Sequence, residues 1–242
     1  MRTLASLLTL MLATVLASPS AHAEAAVPRP FSATYAVTYR GIGAGTITFD
    51  FARDAATDRY IYETHASPST LARLFVSKAA MERSVMEIDA SGTRPIEWRL
   101  DDGKSGNEDD GELHFDWSRG RVTGVVEGKP VELTPEPGTQ DRSSISIAVT
   151  TALLRGVEPG TIPLIDDNRI KRYVYTKKES AKVDSALGKI DTVIYESTRE
   201  GGSSRTSRFW MAPSLEFLPV RAEQVRKGKV ETVMVLEKVD RP

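Results

Sequence analysis

From Phe31 almost to the C-terminus, apolar and polar residues alternate with the period of two expected of half-buried β-strands. Phe31, Ala33, Tyr35, Val37 and Tyr39 share one face of a first strand, and Ile47, Phe49 and Phe51 continue that face after a turn over residues 40–45. The same signature predicts strands over 60–66 and 81–88, one marked by Ile96, Trp98 and Leu100, one by Leu113, Phe115 and Trp117, and a return over 122–126. Gly92 with Pro95, Ser118-Arg119-Gly120 and Gly128-Lys129-Pro130 supply the punctuation. Later in the chain the alternation resumes over 172–176, 182–186, 190–197, 205–211, 218–224 and 230–236.

The period changes once. Between 141 and 154, Ile145, Ala148, Val149, Ala152 and Leu153 recur at helical spacing, with Asp141 or Ser143 able to cap the start and Gly156 able to end it. A helix of about a dozen residues is marginal alone in water, so the stripe of Ile145, Val149, Ala152 and Leu153 is expected to dock on the sheet as a lid or plug. A second, shorter helix is expected over 69–75, behind Pro68. About a dozen short strands with one or two short helices, and no strand–helix alternation, exclude a parallel α/β plan. They predict a mainly β fold: a single large curved antiparallel sheet, a half-barrel or a barrel.

The N-terminus reads differently. Arg2 precedes an apolar run over 4–16 interrupted by Ser6, Thr9 and Thr14, and Ala21-His22-Ala23 offers the small residues that a signal peptidase recognises. The expected organisation is a signal peptide over 1–23, a flexible segment over 24–30 and a single β-rich domain over 31–240. The apolar run is shorter than the roughly 20 residues of a permanent span, so the mature form is expected to be periplasmic and to have no transmembrane span. No cysteine occurs, which excludes disulfides, a thiol nucleophile, a thiolate metal site and an acylated N-terminal cysteine. Stability must therefore come from a core. The 32 basic and 33 acidic residues nearly balance, and loss of Arg2 with the signal leaves 31 basic residues and a charge of −2. That balance excludes nucleic acid as an expected partner.

Few residues suggest chemistry. Gly41, Gly43 and Gly45 mimic a phosphate cradle, but such a loop opens onto a helix N-terminus and this one opens onto a strand, so a wide hairpin turn is expected. The acidic stretch from Asp101-Asp102 to Glu108-Asp109-Asp110 fails the register of a calcium loop and reads as a solvated hairpin loop. Serine chemistry would have to join Ser143 or Ser144 to His65 or His114 without any nucleophile-elbow motif. A zinc site lacks short ligand spacing between the same two histidines. The basic stretch Arg169, Lys171, Arg172, Lys177 and Lys178, interleaved with Tyr173 and Tyr175, reads as a solvated strand face, with lipid phosphates the alternative. No catalytic residue, metal ligand or cofactor is therefore assigned.

The aromatic residues are more suggestive. Tyr35, Tyr39, Phe49, Phe51, Trp98, Trp117 and Trp210, with Phe115 and Phe209, fall on strands that could share one concave face. A curved sheet too large to fill itself leaves an apolar trough suited to an acyl chain or to a partner's apolar segment. The simpler expectation for the set is that the same side chains fill a closed core.

Several strings resemble those of an uncharacterised family of exported bacterial proteins, domain of unknown function 3108. They are Phe115-Asp116-Trp117 before a turn, Gln140-Asp141 leading through Ser144 into the helix, and Trp210 with Pro213 followed by Pro219-Val220-Arg221. The resemblance covers most of the mature chain and implies an envelope location and a β-rich fold, with no activity to carry over. The plan of a helix on a curved sheet is also similar to the half-barrel of periplasmic lipoprotein carriers. The expected function is a non-catalytic binding protein for an apolar or amphipathic envelope ligand, either a lipid-like molecule or a partner segment. The alternatives are a structural or assembly partner of an envelope complex and, behind it, a hydrolase.

Overall fold

The computed structural model describes residues 26–69, 80–104 and 110–242. The expected signal peptide, all but the first residue of the helix expected over 69–75, and residues 105–109 of the acidic stretch lie outside them. The first eight strands are β1 (Phe31–Tyr39), β2 (Ile42–Asp54), β3 (Arg59–Pro68), β4 (Met81–Asp89), β5 (Gly92–Asp101), β6 (Gly111–Asp116), β7 (Arg121–Val126) and β8 (Lys129–Leu133). Helix α1 (Ser144–Leu154) follows, then β9 (Thr161–Asp166), β10 (Arg169–Ser185), β11 (Gly188–Arg199), β12 (Arg205–Ala212), β13 (Leu218–Arg226) and β14 (Lys229–Asp240). A 3-10 turn, Pro213–Leu215, precedes β13.

The 14 strands of the described residues join one antiparallel sheet, in which each strand neighbours the next in sequence except at β8 and β9, and β14 returns to pair with β1. The two edges are consequently β8 and β9, which are consecutive in the chain, and the connection between them carries α1. The sheet is curved and does not close into a barrel.

Turn chemistry explains several boundaries. Arg40-Gly41, Glu127-Gly128 and Lys227-Gly228 are two-residue turns with positive φ at both positions, the form whose twist matches that of flanking strands. The glycine run is thus shorter as a turn than expected: only Arg40 and Gly41 reverse the chain, and Gly43 already lies in β2. Gly45 sits at a register shift opposite Val37 with φ +130°, where a Cβ would stand 2.2 Å from the Ser67 carbonyl oxygen. Pro130 lies within β8 rather than in a turn, which an edge strand tolerates because one row of its ladder is unpaired. The two strands expected over 172–176 and 182–186 are one strand, β10, whose alternation is interrupted by a register shift between Lys177 and Ser180. β9 escapes the alternation test because Ile162 through Ile165 are buried on both faces.

The concave face holds the core in three clusters. The first joins Phe31, Tyr35, Phe51, Tyr62 and Met86 to Ile147 of α1. The second gathers Trp98, Leu113, Phe115 and Val122, and receives Ile165 from β9. The third packs Ile145, Val149 and Leu153 of α1 on Ile162, Tyr195 and Met211. The helix is therefore buried on opposite sides of its axis, not along the single stripe expected: Ile147 is 2% exposed, whereas Ala152 is only half-buried. A sheet that curls around a helix offers apolar partners on more than one side.

Both ends of α1 are built locally. Ser143 adopts the position before the first helical residue, but its side chain makes no capping bond; the Asp141 carboxylate instead accepts the main-chain N–H groups of Ser143 (2.8 Å) and Ser144 (2.7 Å). At the other end Gly156 takes φ +71°, its N–H donates to the Leu153 carbonyl (3.0 Å), and Val157 donates to that of Ala152 (2.9 Å). This is the glycine-dependent closure that satisfies terminal carbonyls.

Candidate ligand cavity

Between α1 and the concave face lies a partly open apolar cavity of about 100 Å³. β1 directs Tyr35 inward, where its hydroxyl donates to the Pro219 carbonyl at 2.7 Å and its ring meets Phe49 edge-on at 5.4 Å. Phe49 in turn stacks on Tyr62 at 5.8 Å. Phe209, Ala222 and Met234 form the facing wall, and Ile147 and Val149 contribute from the helix. Ser146 and Thr150 are its polar helix residues, and Ser146 is exposed, so it marks the opening. Burial raises the ionisation of Tyr35 and Tyr62 well above the usual phenol range and pushes Tyr175 up to about 12. The lining is uncharged at any physiological pH.

Of the seven aromatic residues singled out from the sequence, the fold brings Tyr35 and Phe49 to this cavity. Phe51 lies deeper, 1% exposed and stacked on Tyr60 at 5.4 Å. Trp98 is 1% exposed in the second cluster, donating its indole N–H to Glu82 at 2.6 Å. Trp117 stacks on Phe115 and donates to the Pro95 carbonyl at 2.7 Å. Trp210 stands opposite Arg221, whose guanidinium lies 5.4 Å from its ring centre, and Tyr39 is exposed at one end of the sheet. The seven do not form one continuous trough. Alternation assigns a residue to a face of its strand, but it does not say how far along a curved sheet that residue sits. Met234 and Ala222, which do line the cavity, carry no aromatic signal and were legible only as inward positions.

A second buried constellation surrounds the start of α1. Asp141 is fully buried, and besides capping the helix its carboxylate accepts the Ser84 hydroxyl of β4 at 2.7 Å. Burial outweighs these bonds and lifts its pKa to about 6. The Gln140 side-chain amide donates to the Thr93 carbonyl at 2.8 Å, and its main-chain carbonyl accepts the N–H of Ile165 at 2.9 Å, tying this segment to both β5 and β9. Arg142 bridges the sheet edges, pairing with Glu127 at 2.9 Å on the β7–β8 turn and with Asp166 at 3.5 Å at the end of β9. Ser144 accepts the N–H of Asp141 at 3.0 Å, while His65 is half-exposed beside Glu63 and His114 is exposed. The serines, Asp141 and the imidazoles are thus not assembled as a relay.

Asp101, Asp102 and Asp110 bring carboxylate oxygens within 4.8 Å of one another. Their own loop engages them: Gly103 N–H donates to Asp101, Asp102 N–H donates to Asp110, and Lys104 pairs with Asp102 at 2.7 Å. The basic stretch of β10 is likewise paired, Lys171 with Asp166 and Asp167, Arg172 with Glu136, and Lys177 with Glu158. Among the described residues no helix is long and apolar enough to cross a membrane.

The architecture defines a class: a curved antiparallel sheet wrapped on the internal helix α1. The chain belongs to the family described as protein of unknown function (DUF3108), whose model matches residues 34–235. No functionally curated protein matches it. A solved β-barrel-like protein of domain of unknown function DUF1849 from Brucella abortus shares the fold, with a TM-score of 0.55 at 14% identity over 90% of this chain and 100% of that one. Weaker likenesses are to a protein from Bacteroides fragilis, provisionally described as exported and of YmcC-like fold (TM-score 0.36, 10% identity, 90% and 100% covered), and to one from Parabacteroides distasonis provisionally described as a lipoprotein (0.39, 8%, 88% and 97%).

Proposed function

We propose that this protein is an exported, non-catalytic binding protein of the cell envelope that takes the apolar end of an amphipathic ligand into the cavity between α1 and the sheet. The observation that carries this reading is the cavity, about 100 Å³ walled by aromatic rings and methionines, with Ser146 at its mouth. An apolar cavity of about 150 Å³ stays dry and takes benzene, so a space of this size suits the end of an acyl chain rather than a whole lipid. The export pattern over 1–23 supports an envelope, periplasmic location. The engagement of Asp141 and Ser144 in helix capping supports a role without catalysis. The same small volume favours a second reading, an assembly partner that receives one apolar side chain from another envelope protein.

Titration with a fluorescent fatty acid tests the first reading, with Ala222→Leu as the blocking variant because it fills the space without deleting a contact. Wild type is expected to bind the probe, and Ala222→Leu to bind at least tenfold more weakly while melting within a few degrees of wild type. Equal binding by both would place the probe elsewhere. If neither binds, the small-ligand reading falls and the assembly reading replaces it.

A further inference from the structure

The end of the sheet formed by the β1–β2 and β13–β14 turns has a chemistry unlike that of the cavity. The two turns lie side by side because β1 pairs with β14, with Tyr39 opposite Thr232 and the Arg40 N–H donating to the Glu231 carbonyl at 2.6 Å. Three large apolar side chains there face solvent: Ile42 is 65% exposed, Tyr39 47% and Val230 44%. An isolated exposed apolar residue needs no explanation, but three on adjoining turns form a patch.

Cations flank that patch on its β12–β14 side. Arg205, Arg226 and Lys229 stand directly opposite one another across β12, β13 and β14, and Lys227 occupies the β13–β14 turn. The carboxylate of Glu231 pairs with Arg40 at 2.8 Å, and that bond, helped by the nearby charges of Arg226 and Arg205, holds it below the usual range. Among the described residues, Arg205, Arg226, Lys227 and Lys229 have no ion-pair partner, in contrast to the paired cations of β10. Like charges directly opposite in a sheet weaken the pairing of their strands. The concentration is local, since the whole chain carries a formal charge of −1. Unpaired cations beside exposed apolar side chains complement a surface with phosphates above hydrocarbon.

We propose that this end of the sheet docks on the surface of an anionic phospholipid bilayer. Arg205, Arg226, Lys227 and Lys229 meet lipid phosphates, and Ile42 and Val230 enter the boundary between headgroups and acyl chains. Tyr39, with the Arg40 guanidinium 5.1 Å from its ring centre, sits at headgroup level, where a ring with a polar tip is stable. This inference is independent of the cavity, which lies between α1 and the concave face.

Co-sedimentation of the mature protein with vesicles tests it, comparing pure phosphatidylcholine with a mixture containing phosphatidylglycerol. Binding is expected only to the anionic vesicles and is expected to fall at least tenfold between about 0.05 and about 0.5 M salt, as the screening length shrinks. Arg226→Gln/Lys227→Gln/Lys229→Gln should weaken binding at least tenfold and Ile42→Ser about threefold, with melting temperatures near that of wild type. Lys178→Gln/Lys182→Gln/Lys189→Gln removes the same number of charges from the β10–β11 hairpin and should bind within about twofold of wild type. Equal binding to neutral vesicles, no binding to either kind, or equal effects of the two triple variants would overturn the proposal. So would abolition of vesicle binding by inorganic phosphate at matched ionic strength, which would mark a phosphate site instead.

Discussion

Asp141 illustrates how one residue can serve a helix at a cost in charge. Its folded-state pKa of about 6 lies above its ordinary 3.8, so between these values the folded protein binds more protons than the unfolded chain. Stability from this group accordingly falls as pH rises from about 4 to about 6 and is level above that, with a span of up to about 3 kcal/mol. Urea unfolding of wild type and Asp141→Asn across that range should show the difference between them changing in this sense, and a pH-independent difference would refute the assignment. Gly111 makes a different point. A Cβ there would stand 2.6 Å from the Trp98 ring, so Gly111→Ala must displace a fully buried indole. A loss of about 1–3 kcal/mol is expected, with a change in tryptophan emission as the bond to Glu82 is disturbed.

At the scale of elements, α1 is the piece on which the interior depends. Ile147 contacts the first cluster and Ile145 the third, so a charge at either position is buried without a partner. Ile147→Asp is expected to cost several kcal/mol, measured as a fall in the chemical denaturation midpoint; a midpoint near wild type would mean that the helix is not docked. Gly156→Ala isolates the helix end. No atom lies within 4 Å of the added Cβ, so only its positive φ is penalised, and about 1 kcal/mol is the expected loss.

For the molecule as a whole, the open seam between β8 and β9 matters most. No ladder joins the two edge strands; beyond the short main-chain bridge of Gln140 to β9 the seam is held by side chains, with Arg142 pairing to Glu127 on one side and to Asp166 and Asp167 on the other. Arg142→Ala should therefore speed amide exchange in β8 and β9 more than in the central β1 and β14, at a global cost of about 1–2 kcal/mol because Lys171 still neutralises the carboxylates. Uniform exchange across the sheet would show that the seam does not open on its own.

What the sequence by itself determined is the class of fold: period-two alternation, turn glycines and the helical spacing over 141–154 are local signals, and they survive in β1, β4, β11 to β14 and α1 with small changes in their ends. Where alternation broke, the local signal failed. The register shift in β10 made one strand look like two, and β9, buried on both faces, had no polar positions to count. The candidate site was legible only in part, because Tyr35 and Phe49 come together with Phe209 and Met234 through β1–β14 pairing across most of the chain. Which inward side chains bound a cavity, and which merely fill space as Phe51 and Trp98 do, follows from how the sheet curls around α1. Curvature is a sum over all the strands, and no short stretch of sequence encodes it.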